Sequence, residues 1–186
     1  FNKNFTLRDA LGLVPYLDEL GISHIYASPL LKAVPGSLHC YDVCDHSQIN
    51  PEIGTEEDLR HLSCELKKRG MGIILDIVPN HMGINTPHNK WWWDVLKHGR
   101  GSRYVDYFDI DWDYPLNIKG KVVFPILSDS IKNLFNQQKI YFCNSEFGLA
   151  VAYSNKLFPI SSPRDYASKG FDIELANIDF AIFNGI

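Results

Sequence analysis

The sequence predicts an α/β fold with parallel strands, followed by an α+β segment. The first observation is that helix and strand patterns alternate over residues 6–78, and the second is that the strand pattern 72–78 runs directly into Pro79-Asn80-His81. Polar side chains at the carboxyl end of an apolar strand are typical of parallel sheets and barrels, where loops converge on a ligand. We therefore expect a binding site at the end of this strand.

Two helices and two strands make up the alternating part. Helices are predicted over residues 6–20 and 55–69, because each begins with a Thr-x-x-Asp capping signature and carries apolar residues at helical spacing. The short apolar runs 22–27 and 72–78 predict strands, and a helix between two strands predicts a parallel pair with a right-handed crossover. The connection 28–54 is predicted to be a long loop at the edge that carries the binding site.

The strand pattern 73–78 is apolar enough to predict burial on both faces, which requires neighbouring strands. Two strands and two helices cannot close a sheet, so the chain is expected to be a fragment of a larger fold. A complete eight-stranded barrel, for comparison, needs about 250 residues.

The alternation stops near residue 84, and the second half predicts an α+β arrangement. The predicted elements are a helix over 87–98, a strand over 121–124, a helix over 129–138 and a hairpin of strands 140–143 and 149–153. Trp91, Trp92 and Trp93 lie in the first of these helices. Three adjacent side chains on a helix cannot share one face, so at least one indole is expected in the core, and another could line a ligand groove.

Composition limits the class of partner. The chain has 186 residues, is 45% hydrophobic and has a formal net charge of -4. This charge favours neither nucleic acid nor an anionic membrane surface. No apolar run reaches the roughly 20 residues of a membrane span. A neutral ligand is the expectation, with no nucleic acid and no membrane as partner.

Four cysteines, Cys40, Cys44, Cys64 and Cys143, occur without a Cys-x-x-Cys pair. Sparse cysteines of this kind predict reduced thiols and a cytoplasmic protein. The chain begins at Phe1, so the natural start is not shown and a leader can be neither inferred nor excluded.

Asp76, Asn80 and His81 are the polar residues at the end of the second strand. A carboxylate there can bind hydroxyl groups or fix loop amides, and an imidazole can donate a hydrogen bond to a neutral polyol. Asn and Asp also cap turns by bonding to nearby backbone groups. The sequence alone leaves binding and capping open.

The loop after the first strand carries His39-Cys40-Tyr41-Asp42-Val43-Cys44-Asp45-His46. His and Cys residues could ligate zinc, although this spacing matches no standard structural zinc pattern. The alternative is a sugar platform, with an aromatic face from Tyr41 and hydrogen bonds from His39, Asp42 and Asp45.

The order of the residues along the chain favours the sugar platform over the zinc site. His39-x-Tyr41-Asp42 followed by Asp76-x-x-x-Asn80-His81, at the ends of successive strands, resembles the α-amylase superfamily of retaining α-glucan enzymes. Five further segments are similar to its maltooligosyl trehalose synthase branch: SPLL at 28–31, PGS at 35–37, NPEIG at 50–54, WWWDVL at 91–96 and FDIDW at 108–112.

The resemblance implies an α/β fold class with a partial (β/α)8 barrel, followed by an inserted α+β domain. Strands 22–27 and 72–78 would be the second and third strands of the barrel. Residues 1–83 would then belong to the barrel, and residues 84–186 to a domain inserted after the third strand.

The resemblance also implies a substrate site and no catalytic residue in this chain. The implied substrate-binding residues are His39, Tyr41, Asp42, Asp76, Asn80 and His81. Tyr41 would stack on the transferred glucosyl ring, and Asp76 and Asn80 would mainly organise the loop. In calcium-dependent amylases the residue that matches Asn80 ligates the metal, but one amide cannot establish a calcium site. We therefore predict no metal and no cofactor.

Two departures from the family concern the turn before Tyr41. The family usually has Gly at position 40 and a small polar residue at position 38, where this chain has Cys40 and Leu38. Glycine tolerates a positive φ, so the turn could be altered.

The family's catalytic carboxylates lie on later strands, and their motifs are absent from this sequence. Asp109, Asp111 and Asp113 lie in a polar aromatic segment and are expected to be solvated.

The predicted function is that of the parent enzyme: isomerisation of the reducing-end α-1,4 linkage of a maltooligosaccharide to an α,α-1,1 linkage by intramolecular transglucosylation. The isolated fragment is expected to be inactive. The alternatives are a fragment of an α-glucan hydrolase, and a non-catalytic glucan-binding or inactive remnant.

Overall fold

The computed structural model describes residues 1–113, residues 120–160 and the strand Phe180–Asn184. The chain divides into two compact units, Phe1–Asn89 and Lys90–Ile186. This division lies a few residues beyond the boundary expected from the sequence. The assignment of the units to a barrel and to an insertion stays a prediction.

The first unit contains two helices and two pairs of strands. In chain order they are α1 (Leu7–Glu19), β1 (His24–Ala27), β2 (Leu31–Ala33), β3 (Val43–Ile49), α2 (Glu56–Lys68) and β4 (Gly72–Leu75). Strands β1 and β4 pair in parallel, with His24 opposite Gly72 and Ala27 opposite Leu75. The predicted helices and the predicted parallel pair are therefore confirmed, although both strands are shorter than predicted.

Both helices begin with the capping boxes that the sequence predicts. Thr6 and Asp9 exchange side-chain and backbone hydrogen bonds at the start of α1, and Thr55 and Asp58 do the same at the start of α2. Arg8 Nε also donates to Asp58 Oδ1 over 2.7 Å, which ties the two helix starts together. These hydrogen bonds, with the one from Arg8 the largest cause, lower the pKa of Asp58 to about 2.

The core of the first unit lies between the helices and one face of the β1–β4 pair. Its buried residues are Leu7, Ala10, Val14, Ala27, Leu30, Ile53, Leu62, Leu66 and Met71. On the opposite face Ile74 and Tyr26 remain 52% and 68% exposed. The expectation that the second strand is buried on both faces is therefore wrong for this chain, because in the described residues the helices cover only one face.

Residues 28–54 are not the simple loop that the sequence predicted. They contain the antiparallel pair β2–β3, in which Leu31 lies opposite Ile49 and Ala33 opposite Val43. The pairing is irregular, with register shifts on both sides of Lys32. Tyr41 lies in the connection between these two strands.

The second unit begins with a helix and continues with strands. In chain order its elements are α3 (Lys90–His98), two short 3₁₀ turns (Gly99–Gly101 and Val105–Tyr107), β5 (Val122–Leu127), α4 (Ile131–Asn136), β6 (Ile140–Ser145), β7 (Gly148–Tyr153), β8 (Lys156–Pro159) and β9 (Phe180–Asn184). Strands β6, β7 and β8 form an antiparallel sheet, and β5 pairs with β9 in parallel. The predicted α+β character and the predicted hairpin are confirmed.

Trp92 lies in the core of the second unit, at 5% exposure. Its ring centroid is 4.8 Å from that of Phe108 and 6.0 Å from that of Phe124. Trp91 instead stacks on Tyr104, and Trp93 contacts Phe147. The prediction that at least one of the three indoles is a core residue is confirmed.

Within residues 1–113 and 120–160 and the last described strand, no helix has the length and apolar character that crossing a membrane requires.

Candidate functional site

Two tyrosines share one carboxylate oxygen at the end of the parallel strand pair. The hydroxyl groups of Tyr26 and Tyr41 donate to Asp76 Oδ2 over 2.6 Å and 2.5 Å. Tyr26 is the third residue of β1, Asp76 directly follows β4, and Tyr41 lies in the turn before β3. We call this group the Asp76 bridge. It joins a strand, a loop and a turn at the edge where the sequence predicted a binding site.

The ionisation of these three groups reflects their hydrogen bonds. The bonds from Tyr26 and Tyr41 hold the pKa of Asp76 below its ordinary value. The bond to Asp76 in turn raises the pKa of Tyr41 to about 12 and also raises that of Tyr26. At neutral pH the carboxylate is therefore ionised and both phenols keep their protons. The contribution of the ionised Asp76 to folding stability is lost as pH falls through its lowered pKa. The contribution of the protonated Tyr41 is lost as pH rises from about 10 toward 12.

The loop from Asp76 to Gly83 is held at two further points. His46 Nε2 lies 3.2 Å from the carbonyl oxygen of Val78, and because a carbonyl only accepts, this nitrogen carries the proton. The backbone N–H of Gly83 donates to the carbonyl oxygen of Val43 over 2.8 Å. Both contacts attach the loop to the β2–β3 hairpin, so the residues between them are carried on a fixed segment.

Asn80 and His81 lie in this segment and bond to each other. His81 Nδ1 is 3.1 Å from Asn80 Oδ1. Because an amide oxygen only accepts, Nδ1 carries the proton, and Nε2 of the neutral ring is then an acceptor. His81 can donate to a ligand through Nε2 only when the ring is protonated. This differs from the donor role that the sequence suggested.

His39 and Asp42 flank Tyr41 in the turn. The backbone N–H of Tyr41 donates to His39 Nδ1 over 3.0 Å, so the proton of the neutral ring lies on Nε2, which can act as a donor. The His39 and Tyr41 rings stack with centroids 6.3 Å apart. Asp42 Oδ1 is buried and has no hydrogen-bond partner in the part of the chain that the structure describes. Its 4.0 Å separation from His39 Nδ1 is too long for a hydrogen bond.

The two cysteines that the zinc hypothesis invokes are both buried in the fold. Cys44 Sγ donates to the carbonyl oxygen of Ala33, and burial raises the pKa of this thiol to about 11. Burial also raises the pKa of Cys40. In the metal-free chain both side chains are therefore protonated thiols, and zinc would have to displace their protons to bind.

The amide oxygen considered as a calcium ligand makes a hydrogen bond within the loop. Asn80 Oδ1 already accepts a hydrogen bond, and residues 1–113 and 120–160 contain no group of three or more His, Cys, Asp or Glu side chains placed around a metal ion.

Cys40 has the backbone conformation that usually selects glycine. Its φ is 60°, and the residue is fully buried. Asn50 Nδ2 lies 3.6 Å from its sulfur, and the sulfur lies 3.7 Å from the carbonyl oxygen of Phe1. An L-residue in this left-handed region costs about 1–2 kcal/mol. The turn that presents Tyr41 therefore forms in this chain in spite of local strain.

The strain at Cys40 can be separated from the packing of its sulfur by two substitutions. We expect Cys40→Ala to destabilise the first unit, because it loses the buried sulfur and keeps the strain. Cys40→Gly also loses the sulfur but relieves the strain, so it should be more stable than Cys40→Ala by about 1 kcal/mol. Chemical denaturation of both variants measures the difference, and equal stabilities would contradict the assigned strain.

The sequence analysis missed Tyr26 as a site residue, and it considered His46 only as a possible zinc ligand. Tyr26 is two residues before Ser28-Pro29, where the first strand was predicted to end, and its neighbours Ile25 and Ala27 face the core. Alternation along a strand could therefore have placed Tyr26 on the same face as the site. For His46 no pattern was available, because β3 does not alternate.

The Asp109, Asp111 and Asp113 side chains are exposed, as expected. Asp113 pairs with Arg100 over 3.0 Å.

Comparison with known proteins gives a consistent result. A family model described as "Alpha amylase, catalytic domain" matches residues 10–144. A maltooligosyl trehalose synthase of Mycobacterium tuberculosis is 52% identical over 128 residues, which are 68% of this chain and 16% of that protein. An intracellular maltogenic amylase of Bacillus subtilis is 41% identical over 104 residues, which are 56% of this chain and 17% of that protein.

Solved structures agree with the sequence relatives. The maltooligosyltrehalose synthase of Arthrobacter ramosus superposes with a TM-score of 0.80 at 37% identity, over 99% of this chain and 23% of that protein. The chain thus spans about a sixth of the curated relatives that it matches. The predicted fold class, part of a (β/α)8 barrel with a following α+β segment, is confirmed. Because the family match extends over most of its length, the chain belongs to the alpha-amylase family.

Proposed function

We propose that this chain supplies one wall of the glucan-binding site of an enzyme that forms maltooligosyl trehalose. The enzyme would isomerise the reducing-end α-1,4 linkage of a maltooligosaccharide to an α,α-1,1 linkage by intramolecular transglucosylation. The similarity to the synthases of M. tuberculosis and A. ramosus supports this assignment.

The Asp76 bridge is the observation that carries the proposal. It holds the Tyr41 ring, which is 42% exposed and stacks with the exposed ring of His39. An aromatic face next to hydrogen-bonding groups suits a sugar, whose ring offers a C–H face and a rim of hydroxyl groups. Asp42, Asn80 and His81 would add polar contacts around the bound sugar ring.

In this proposal the chain binds and orients the substrate, while the bond-making carboxylates come from other parts of the enzyme. Retaining transfer uses two carboxyl groups about 5 Å apart. Asp76 is held by two phenols, which suits a fixed acceptor better than a nucleophile. Exclusion of water from the complete site would favour transfer of the glucosyl group over hydrolysis.

We further propose that residues 1–83 form the second and third strands of the barrel with their helices, and that residues 84–186 form a domain inserted after the third strand. Cytoplasmic localisation is part of the same proposal. It is supported by the free state of all four cysteines.

A chimeric enzyme tests the function. The segment of the M. tuberculosis synthase that matches this chain is replaced by the 128 matching residues, and the purified chimera is incubated with maltopentaose. We expect the reducing ends to disappear without release of glucose. Tyr41→Ala in the chimera should lower kcat/KM by about a hundredfold, because the substrate ring loses its platform. Tyr16→Ala, on the exposed side of α1, is the matched control.

Product analysis of the chimera also tests the alternatives. Glucose and shorter maltodextrins would indicate an α-glucan hydrolase, which the 41% identity to the maltogenic amylase of B. subtilis keeps as the second candidate. A folded chimera that binds maltopentaose without any turnover would contradict both enzymatic assignments and favour a non-catalytic glucan-binding remnant.

A further inference from the structure

We propose that Tyr26 is a positioning residue of the candidate site, which fixes the Tyr41 phenol by sharing the Asp76 carboxylate with it. The identity of the ligand, a neutral α-glucan, rests on the proposed function. The positioning role itself rests only on the geometry of the Asp76 bridge.

The bridge is a three-point connection through a single atom. Tyr26 and Tyr41 both donate to Asp76 Oδ2, at 2.6 Å and 2.5 Å, from elements that are far apart in the sequence. Tyr26 comes from a paired strand and Tyr41 from a turn, so the strand provides a fixed reference for the turn. Without the Tyr26 hydroxyl, Asp76 would keep one phenol and could follow Tyr41 as the turn moves.

Tyr26 contributes to this group through its hydroxyl rather than through burial. Its side chain is 68% exposed, whereas its neighbour Ala27 is 1% exposed. An aromatic ring that is left in water gains little from the hydrophobic effect. A charge-assisted hydrogen bond to a carboxylate is stronger than a neutral one, and this bond gives the exposed residue its structural role.

The bridge also determines which hydrogen bonds remain for a ligand. Each phenol has one proton, and both protons are used on Asp76. The lone pairs of the two phenolic oxygens and of the carboxylate remain, and all of these are acceptors. This part of the site therefore fits a ligand that presents hydroxyl donors, as a glucan does, and disfavours a ligand that presents only acceptors, such as inorganic sulfate.

The first test measures the bridge directly in the full 186-residue chain. Aspartate labelled with ¹³C at the carboxyl carbon reports the pKa of Asp76 by NMR titration. We expect Tyr26→Phe and Tyr41→Phe each to move this pKa upward, toward the ordinary value of an aspartate, because each removes a donor to the charged form. The matched control Tyr16→Phe should leave it unchanged. An unchanged Asp76 pKa in Tyr26→Phe would overturn the proposal.

The second test asks whether Tyr26 acts through Tyr41. Binding of maltopentaose to the full chain is measured for the wild type, Tyr26→Phe, Tyr41→Phe and the double variant. We expect each single variant to bind about three- to tenfold more weakly, and the double variant to bind no more weakly than Tyr41→Phe alone. Losses that multiply in the double variant would overturn the positioning role.

The two tests also separate this inference from the proposed function. If Tyr26→Phe shifts the Asp76 pKa, the positioning role of Tyr26 is supported even where the wild-type chain, as one wall of the site, does not bind maltopentaose. The glucan assignment fails if the complete site of the chimera also does not bind maltopentaose. Inorganic sulfate serves as the acceptor-only probe, and binding of sulfate in preference to maltopentaose would contradict the inferred ligand class.

Discussion

Replacing Trp92 by Ala is expected to destabilise the second unit by about 3–5 kcal/mol, the range typical of a large buried aromatic side chain. Trp92 is 5% exposed and packs against Phe108 and Phe124. Its removal would leave a cavity between α3 and the strands that complete this core. Because such a loss is comparable to the whole stability of a small domain, we expect the unit to lose its fixed packing.

Amide hydrogen exchange measures the loss of stability within the second unit itself. Amides of β6 and β7 should exchange much faster in Trp92→Ala than in the wild type. The matched control is Trp91→Ala, the same change one position earlier in α3, where the half-buried ring stacks on Tyr104 at the edge of the core. Comparable acceleration in both variants would contradict the assignment of Trp92 as the central residue.

The regular elements could be predicted because their signals are local. A Thr-x-x-Asp capping box and apolar spacing are contained within a few residues, and α1 and α2 begin at or next to the predicted positions. The β2–β3 hairpin was missed because its pairing is irregular and β3 has no alternation of buried and exposed residues. It contacts the loop 76–83 through His46 and Val43, and such contacts leave no periodic pattern.

The site could be predicted in outline for a different reason. Parallel strands bring their carboxyl ends to one edge, so Tyr41 and Asp76 could be expected near each other from their order alone. The sequence could not show that Tyr26 shares Asp76, because one tyrosine in a short strand carries no signal of its partner. The tautomers of His39 and His81 were equally hidden, since each depends on one hydrogen bond that only the structure gives.

Gly83→Ala is expected to disturb the loop that carries Asn80 and His81. A Cβ at this position would lie 2.6 Å from the backbone oxygen of Asp42 and 2.8 Å from Val34 Cγ2. A backbone oxygen cannot rotate away as a side chain can, so the loop itself must move and the bond from Gly83 N–H to Val43 would weaken. We expect a loss of about 1–3 kcal/mol in the stability of the first unit, as for other overpacked sites.

Gly12→Ala provides the control with the opposite sign. Gly12 lies inside α1, nothing lies within 4 Å of a Cβ built there, and alanine in a helix interior is more favourable than glycine by about 1 kcal/mol. Chemical denaturation should therefore show Gly83→Ala to be less stable than the wild type and Gly12→Ala to be more stable. In Gly83→Ala the imidazole NMR signals of His81 and His46 should also shift, because both rings depend on the placement of this loop. Unchanged stability with unshifted histidine signals would mean that Gly83 does not lie against the hairpin backbone, and that the loop does not fix the candidate site.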